Sequence, residues 1–141
     1  MGNISKNFSY KEFEDSVIAK REGIDNTLPE ELKPRVKALV DNVLQPLRDV
    51  WGVMVINSGY RCKELNEHPE VKGEETSQHR KGEAADVNCS HPLKLAQMVK
   101  DFALPFDQMG IYPNFVHLSH KYKGKQRGYI FYSKNYKGGK L

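Results

Sequence analysis

The sequence predicts an α+β fold in which helices come first and a small, mainly antiparallel sheet follows. Apolar residues recur at helical spacing in the N-terminal third, whereas later segments are short and alternate or are rich in β-branched residues. A chain of 141 residues with 38% hydrophobic residues is long enough to form one core. We therefore expect a single domain over residues 1–141, with a basic tail at about 121–141.

Two short helices are expected, one on each side of a longer one. Ser9 and Glu12 have the spacing of a capping box, which predicts a helix to about residue 21 that Gly23 ends. Pro92 is typical of the first position of a helix, and the residues after it predict a helix over Leu93–Phe102.

The longer helix is expected to carry most of the core. Thr27 and Glu30 repeat the capping spacing, and Gly52 ends the helical pattern. Pro46 lies inside this helix and should kink it, because proline lacks an amide donor and clashes with the preceding turn. The apolar residues at helical spacing are Leu32, Val36, Leu39, Val40, Val43, Leu44 and Leu47.

Four short segments are predicted as strands. Val53–Ile56 is rich in β-branched residues and predicts a buried strand, which a turn at residues 57–59 ends. Ala84–Val87 predicts a second strand. Alternating residues in Phe115–Ser119 and Gly128–Tyr132 predict two more. Polar residues at positions 66–76 predict a loop.

The basic tail gives the chain most of its formal net charge of +4. A basic surface attracts polyanions, including nucleic acid and anionic cell-wall polymers. Aromatic residues alternate with the lysines of the tail, a pattern found on nucleic-acid-binding surfaces and equally in ordinary strands. We expect no specific nucleic-acid partner.

The sequence has no membrane-spanning or signal-peptide pattern. Val53–Ile56 is typical of its longest apolar runs and falls far short of the roughly 20 residues that cross a bilayer. Met1–Asn7 lacks the apolar core of a signal peptide. Cys62 and Cys89 have no Cys-x-x-Cys spacing, so we expect two reduced thiols rather than a disulfide framework.

Three residues form a candidate metal site. His79 and Asp86 are seven positions apart across a glycine turn, so a loop followed by a strand can bring them to one ion. A catalytic zinc site uses three protein ligands and keeps its fourth position for water, so a third ligand is needed. His117 is the best candidate, because a polar side chain centred in an apolar strand needs a partner.

The segment that contains these first two residues resembles a known metallopeptidase signature. Its fixed positions follow the pattern Ser-x-His-x-x-Gly-x-Ala-x-Asp of the zinc D-alanyl-D-alanine metallopeptidases: Ser77, His79, Gly82, Ala84 and Asp86. That family includes vancomycin-resistance dipeptidases and phage L-alanyl-D-glutamate endolysins.

Further segments extend the resemblance from about Phe8 to Ser119. Residues 58–61 resemble the Ser-Gly-Tyr-Arg turn of the family, and residues 106–108 and 115–117 resemble its final pair of strands. The closest resemblance is to the short phage and prophage branch. It implies a fold like that of the hedgehog domain and D-Ala-D-Ala peptidases, with a zinc site in a cleft and helices packed on one side of the sheet.

The resemblance also assigns roles to residues. It implies that one zinc ion (Zn²⁺) is held by His79, Asp86 and His117. Arg61 is expected to bind a substrate carboxylate or to orient its carbonyl, because a guanidinium makes paired hydrogen bonds to such groups; the alternative is a buried salt bridge that stabilises the turn. Ser77 and Gln78 are expected to bind substrate at the rim or to fix the loop by hydrogen bonds.

The residues that commonly serve as the general base in this family are absent from this sequence. The family commonly places a Glu three residues before the last ligand or a His two residues before it, but Asn114 and Phe115 stand there. Metal-assisted hydrolysis still needs a group that accepts the proton of water and passes it on. The remaining candidates are Asp107, Glu83 and His120, of which we favour Asp107 as the catalytic base.

The resemblance predicts a zinc metallopeptidase that hydrolyses a peptide bond in peptidoglycan stem peptides or cross-links, as a D,D-carboxypeptidase or an endopeptidase. The alternative is a non-catalytic zinc-containing peptidoglycan-binding module, which the absence of the usual base favours. We expect a monomer without a membrane partner, which stays in the cytoplasm until it is released, or belongs to a phage particle, and acts at the cell wall.

Overall fold

A five-stranded sheet is the framework of the computed structural model, which describes residues 3–141. The strands are β1 (Val55–Ser58), β2 (Ala84–Asn88), β3 (Gln108–Ile111), β4 (Phe115–Ser119) and β5 (Tyr129–Tyr132). Their order in the sheet is β1-β2-β4-β3-β5. Only the pairing of β3 with β5 is parallel, so the sheet is mixed and mainly antiparallel, and the predicted α+β class is confirmed.

Six α-helices accompany the sheet within residues 3–141. They are α1 (Tyr10–Glu14), α2 (Val17–Glu22), α3 (Lys33–Leu39), α4 (Gln45–Trp51), α5 (Lys63–Glu67) and α6 (Pro92–Asp101). None of the helices within residues 3–141 has the length and apolar character needed to span a bilayer. Met1 and Gly2, the start of the segment in which we expect no signal peptide, lie outside the described residues.

Two helical segments differ from their predictions. The first helix begins after Ser9 as predicted but is split in two, because the backbone is extended at Ser16, whose side chain accepts a hydrogen bond of 3.1 Å from the Ala19 amide and begins α2. Thr27 is not a helix cap, since its hydroxyl donates to Asp25 at 2.6 Å. The chain instead enters the long helix through a short 3₁₀ turn that follows Pro29.

Pro46 alters the long helix by a local change of winding. A π-helical segment, Val40–Leu44, joins α3 to α4 and ends two residues before the proline. Such a segment is one of the few ways in which a helix accommodates an interruption of its hydrogen bonds. Gly52 ends the helix as predicted, with a positive φ of 110°.

The first strand is shifted from its predicted position. It comprises Val55–Ser58 rather than Val53–Ile56, and it forms an edge of the sheet. Val53 is 80% exposed and Val55 is 55% exposed, so the prediction of a buried strand is wrong. Four consecutive apolar residues carry no alternation, which left the register of this strand undetermined by the sequence.

The core lies between one face of the sheet and the long helix with α6. Its fully buried residues include Val36, Leu39, Val43, Leu44, Leu47, Val87, Leu95, Met109, Ile111, Val116 and Leu118. Because successive side chains of a strand point to opposite faces, the residues between the core positions of β2 and β4 point to the other face. That face carries the candidate metal site.

Candidate metal centre and cleft

The three predicted ligands come together at the middle of the sheet. Asp86 on β2 is paired directly with His117 on β4, and His79 lies in a short 3₁₀ turn, Gln78–Lys81, that precedes β2. One donor atom from each residue lies within 4.8 Å of the other two. The fold therefore brings residues 38 positions apart in the chain to one point.

Asp86 is the centre of this cluster. Its Oδ1 lies 3.0 Å from His117 Nδ1 and 3.3 Å from His79 Nε2. The two imidazole rings are tilted by 57° with centroids 5.1 Å apart. Two nitrogens and one oxygen thus converge, which is the donor set of a catalytic zinc site.

A backbone carbonyl fixes the orientation of the His79 ring. His79 Nδ1 donates to the carbonyl oxygen of Gly59 at 2.7 Å. A carbonyl only accepts, so the neutral ring keeps its proton on Nδ1 and presents a lone pair at Nε2. That Nε2 atom is buried and has no hydrogen-bond partner among residues 3–141. A lone pair and a carboxylate oxygen 3.3 Å apart are both electron-rich, and the arrangement fits a cation between them.

The protonation states of the ligands suit a metal ion. Burial lowers the pKa of His79, which favours the neutral imidazole that binds metals. Burial by itself raises the pKa of Asp86, but interactions with His79 and His117 outweigh it and the pKa falls below its ordinary value. Asp86 is therefore ionised at neutral pH, the form in which a carboxylate binds a metal ion.

Comparison with known families identifies this arrangement. A family model described as Peptidase M15 matches residues 6–119, which contain all three ligands. The chain belongs to the peptidase M15 family. M15 peptidases are zinc metallopeptidases, so the resemblance predicted from the signature is confirmed at the level of the family. No curated protein matches the chain.

The candidate metal site of this M15 peptidase lies in a cleft of about 640 Å³. The cleft lining includes the expected residues Arg61, Ser77 and Gln78. Ser77 Oγ accepts a hydrogen bond of 3.2 Å from the backbone of His79, and Gln78 Nε2 donates to Asp107 at 3.0 Å. Both side chains thus fix the turn that carries His79, and both also border the cleft.

Arg61 forms the ion pair of its alternative role, and its side chain also borders the cleft. Its Nε donates to Ser58 at 3.1 Å, its Nη1 donates to Asn66 at 3.2 Å, and its Nη2 lies 3.6 Å from Asp86 Oδ2. Its backbone amide also donates to the carbonyl of His79. The half-buried guanidinium is therefore held by hydrogen bonds and an ion pair beside the candidate ligand Asp86, and the same side chain lines the cleft.

Asp107 does not have the environment of a general base. It is fully buried and is absent from the cleft lining. Its carboxylate accepts from Arg127 Nη2 at 2.6 Å and from Gln78 Nε2 at 3.0 Å. Burial raises the pKa of Asp107, but hydrogen bonds from Arg127 outweigh this and lower it. The structure therefore favours a positioning role for this carboxylate.

Of the other two candidate bases, Glu83 is paired with an arginine and His120 lies outside the cleft. Glu83 lines the cleft, but its Oε2 accepts from Arg35 at 2.5 Å and from the Tyr122 amide at 3.2 Å. His120 is buried, its Nδ1 has no partner among the described residues, and burial lowers its pKa. It is not among the residues that line the cleft.

The remaining histidines and the cysteines lie outside the three-residue cluster. His68 contacts Glu22 at 3.4 Å, and His91 is exposed at the start of α6. Cys62 and Cys89 are free thiols, as predicted.

Sequence reasoning missed one wall of the cleft. This wall is formed by Gln108, Tyr112, Arg127 and Phe131, which come from β3, β5 and the loops beside them. Alternation predicted the β5 strand but could not say that it pairs with β3 or which face it presents. Arg127 and Phe131 lie beyond residue 119, where the match to the M15 family ends.

Proposed function

We propose that this M15 peptidase hydrolyses a peptide bond in peptidoglycan stem peptides or cross-links, with one zinc ion held by His79, Asp86 and His117. The observation that carries the proposal is the buried, unpartnered Nε2 of His79, which faces Asp86 Oδ1 at 3.3 Å. A zinc ion bound there supplies the Lewis acidity that peptide hydrolysis requires.

The protein's own groups orient the ligands and the substrate. The Gly59 carbonyl holds His79 in the tautomer that presents Nε2 to the metal. Arg61, held by Ser58 and Asn66, donates hydrogen bonds to a carbonyl or carboxylate oxygen of the bound peptide. The membership of the chain in a family of peptidases supports hydrolysis, as a D,D-carboxypeptidase or an endopeptidase.

Digestion of purified peptidoglycan tests this function directly. The zinc-loaded protein is incubated with sacculi, with and without a chelator, and the released fragments are analysed by mass spectrometry. New peptide termini that the chelator abolishes would establish the activity and identify the bond that is cut.

The first prediction concerns His79→Ala. We expect loss of stoichiometric zinc binding and loss of cleavage, because the change removes a ligand that is buried and pre-oriented. Zinc content after dialysis and fragment release are measured in parallel. His91→Ala is the matched control, since His91 is exposed and outside the cluster. Release of fragments by His79→Ala at the rate of the control would contradict the assignment.

A second candidate function is a zinc-containing module that binds peptidoglycan without cutting it. It is favoured by Asn114 and Phe115 at the usual positions of the base and by the burial of Asp107 away from the cleft. Sedimentation of the protein with sacculi, together with stoichiometric zinc and no new termini, would support this module over the peptidase.

The proposed substrate places the action of the protein at the cell wall. We propose that it reaches the wall by release from the cytoplasm or as part of a phage particle, and that it acts as a monomer without a nucleic-acid or membrane partner. Size-exclusion chromatography with light scattering tests the oligomeric state.

A further inference from the structure

We propose that Arg127 and Phe131 form an additional substrate subsite, in which Arg127 binds a carboxylate of an acidic peptide. The proposal rests on the proposed function and names a feature of its substrate. Both residues line the cleft, and both lie beyond the end of the match to the M15 family at residue 119. The subsite is thus an addition of this chain to the part that the family model describes.

A buried carboxylate orients the Arg127 guanidinium. Arg127 Nε lies 3.1 and 3.2 Å from the two oxygens of Asp107, and Nη2 donates to Oδ2 at 2.6 Å. A guanidinium has five N–H groups, so this pairing leaves the two N–H groups of Nη1 and one of Nη2 available. Arg127 is 53% exposed and Asp107 is not exposed at all, so the available groups face outward.

The backbone fixes the same pair from a second direction. The Arg127 amide donates to Asp107 Oδ1 at 2.8 Å, and the Tyr129 amide donates to the Asp107 carbonyl at 2.9 Å. Gln78, the neighbour of a zinc ligand, completes the shell around the carboxylate. Arg127 is therefore pre-organised, which reduces the entropy lost when it binds a ligand. Asp107 acts as its positioning residue.

Phe131 adds an apolar surface to the same cleft. Its ring centroid lies 6.2 Å from that of His117 and 6.1 Å from that of Tyr112. The ring packs over Gly110, where a Cβ atom would lie only 2.3 Å from Phe131 Cζ. The ring thus lies near the candidate ligand His117 and gives the cleft an apolar surface, against which an aliphatic part of a peptide can pack.

The charge of the cleft favours an anionic ligand. Its lining contains the five cationic residues Arg61, Lys72, Lys81, Lys121 and Arg127 and the three acidic residues Glu74, Glu83 and Asp86. Glu83 is paired with Arg35, and Asp86 is a metal ligand. The Asp107–Arg127 pair is neutral as a unit, so Arg127 contributes directed hydrogen bonds. The lysines contribute the positive electrostatic potential of the cleft.

The test compares muropeptides before and after amidation of their carboxylates. Soluble muropeptides are prepared from sacculi with a muramidase, and kcat and KM are measured for the zinc-loaded protein. We expect Arg127→Ala to raise KM for the native muropeptides roughly tenfold or more with a small change in kcat, since a charge-assisted hydrogen bond is lost. Amidated muropeptides should show little difference between Arg127→Ala and wild type. Arg127→Lys should restore part of the affinity.

Lys125→Ala is the matched control, because Lys125 is exposed, does not line the cleft and carries the same charge. An Arg127→Ala variant with the KM of this control, or with equal losses for native and amidated muropeptides, would overturn the proposal. If wild type cleaves neither substrate, the proposed function fails, and the subsite is then judged by calorimetric binding of the same two muropeptides. Equal affinities of wild type and Arg127→Ala would overturn it there too.

Discussion

At the scale of single residues, the candidate metal site depends on backbone groups as much as on its three predicted ligands. The carbonyl of Gly59 accepts the Nδ1 proton of His79 and so leaves Nε2 as the nitrogen that faces Asp86. That carbonyl can reach His79 because Gly59 packs against Phe13, where a Cβ atom would lie 2.6 Å from the ring and 2.8 Å from Phe13 Cα. The first short helix is thus part of the support of the site.

A single methyl group should therefore disturb both the fold and the site. We expect Gly59→Ala to lower the free energy of unfolding by about 1–3 kcal/mol, since the backbone of Phe13 has to move. It should also weaken zinc binding. Urea unfolding and zinc titration measure the two effects. Gly139→Ala is the control, because its Cβ would make an ordinary contact of 3.4 Å with Leu93. Equal unfolding midpoints for both variants would contradict this view.

At the scale of elements, Asp107 joins the starts of two parallel strands. It precedes β3 and holds Arg127, which precedes β5. The pKa of Asp107 in the fold lies below its ordinary value of 3.8, because hydrogen bonds from Arg127 outweigh the effect of burial. A carboxyl group with a lowered pKa stabilises the fold above its unfolded pKa, and this contribution is lost as the pH falls through the folded pKa.

The stability difference between wild type and Asp107→Asn should therefore depend on pH. We expect Asp107→Asn to be less stable at pH 7, and the difference to shrink as the pH falls below about 4, where the carboxyl of the unfolded chain begins to protonate while that of the fold stays ionised. Unfolding midpoints measured from pH 7 to pH 2 test this. Asp41→Asn is the control, because its ion pair with Lys37 is solvent-exposed. A difference that stays constant with pH would contradict the prediction.

The elements also show what local sequence can and cannot specify. Phe115–Ser119 was predicted to the residue, because apolar and polar side chains alternate there. The signature supplied His79 and Asp86, since its spacing is local, whereas His117 was predicted from its place at the centre of an apolar strand. Arg127 was missed because its role depends on Asp107, 20 residues earlier, and on the pairing of β5 with β3. No local pattern encodes a contact made by tertiary pairing.

At the scale of the whole molecule, the C-terminal segment is an integral part of the fold rather than a solvated tail. β5 covers the edge of β3, and side chains of this segment pack against the core: Ile130, Tyr132, Tyr136 and Leu141. The last residue, Leu141, is held against β5, since its amide donates to the Tyr132 hydroxyl at 2.8 Å. The basic residues of the segment thus surround an apolar, ordered strand.

Removal of this segment should lower the stability of the fold although the three predicted metal ligands stay in the chain. A chain that ends at Lys121 retains all three ligands but exposes the edge of β3 and part of the core. We expect it to be less stable than wild type by roughly 3 kcal/mol or more, because several apolar side chains lose their burial. A chain that ends at Ser133 keeps β5 and should lose less. Urea unfolding midpoints of both chains are measured with zinc present. Equal midpoints would mean that β5 does not stabilise the sheet. A lower midpoint for the shorter chain would show that the fold extends beyond the M15 match.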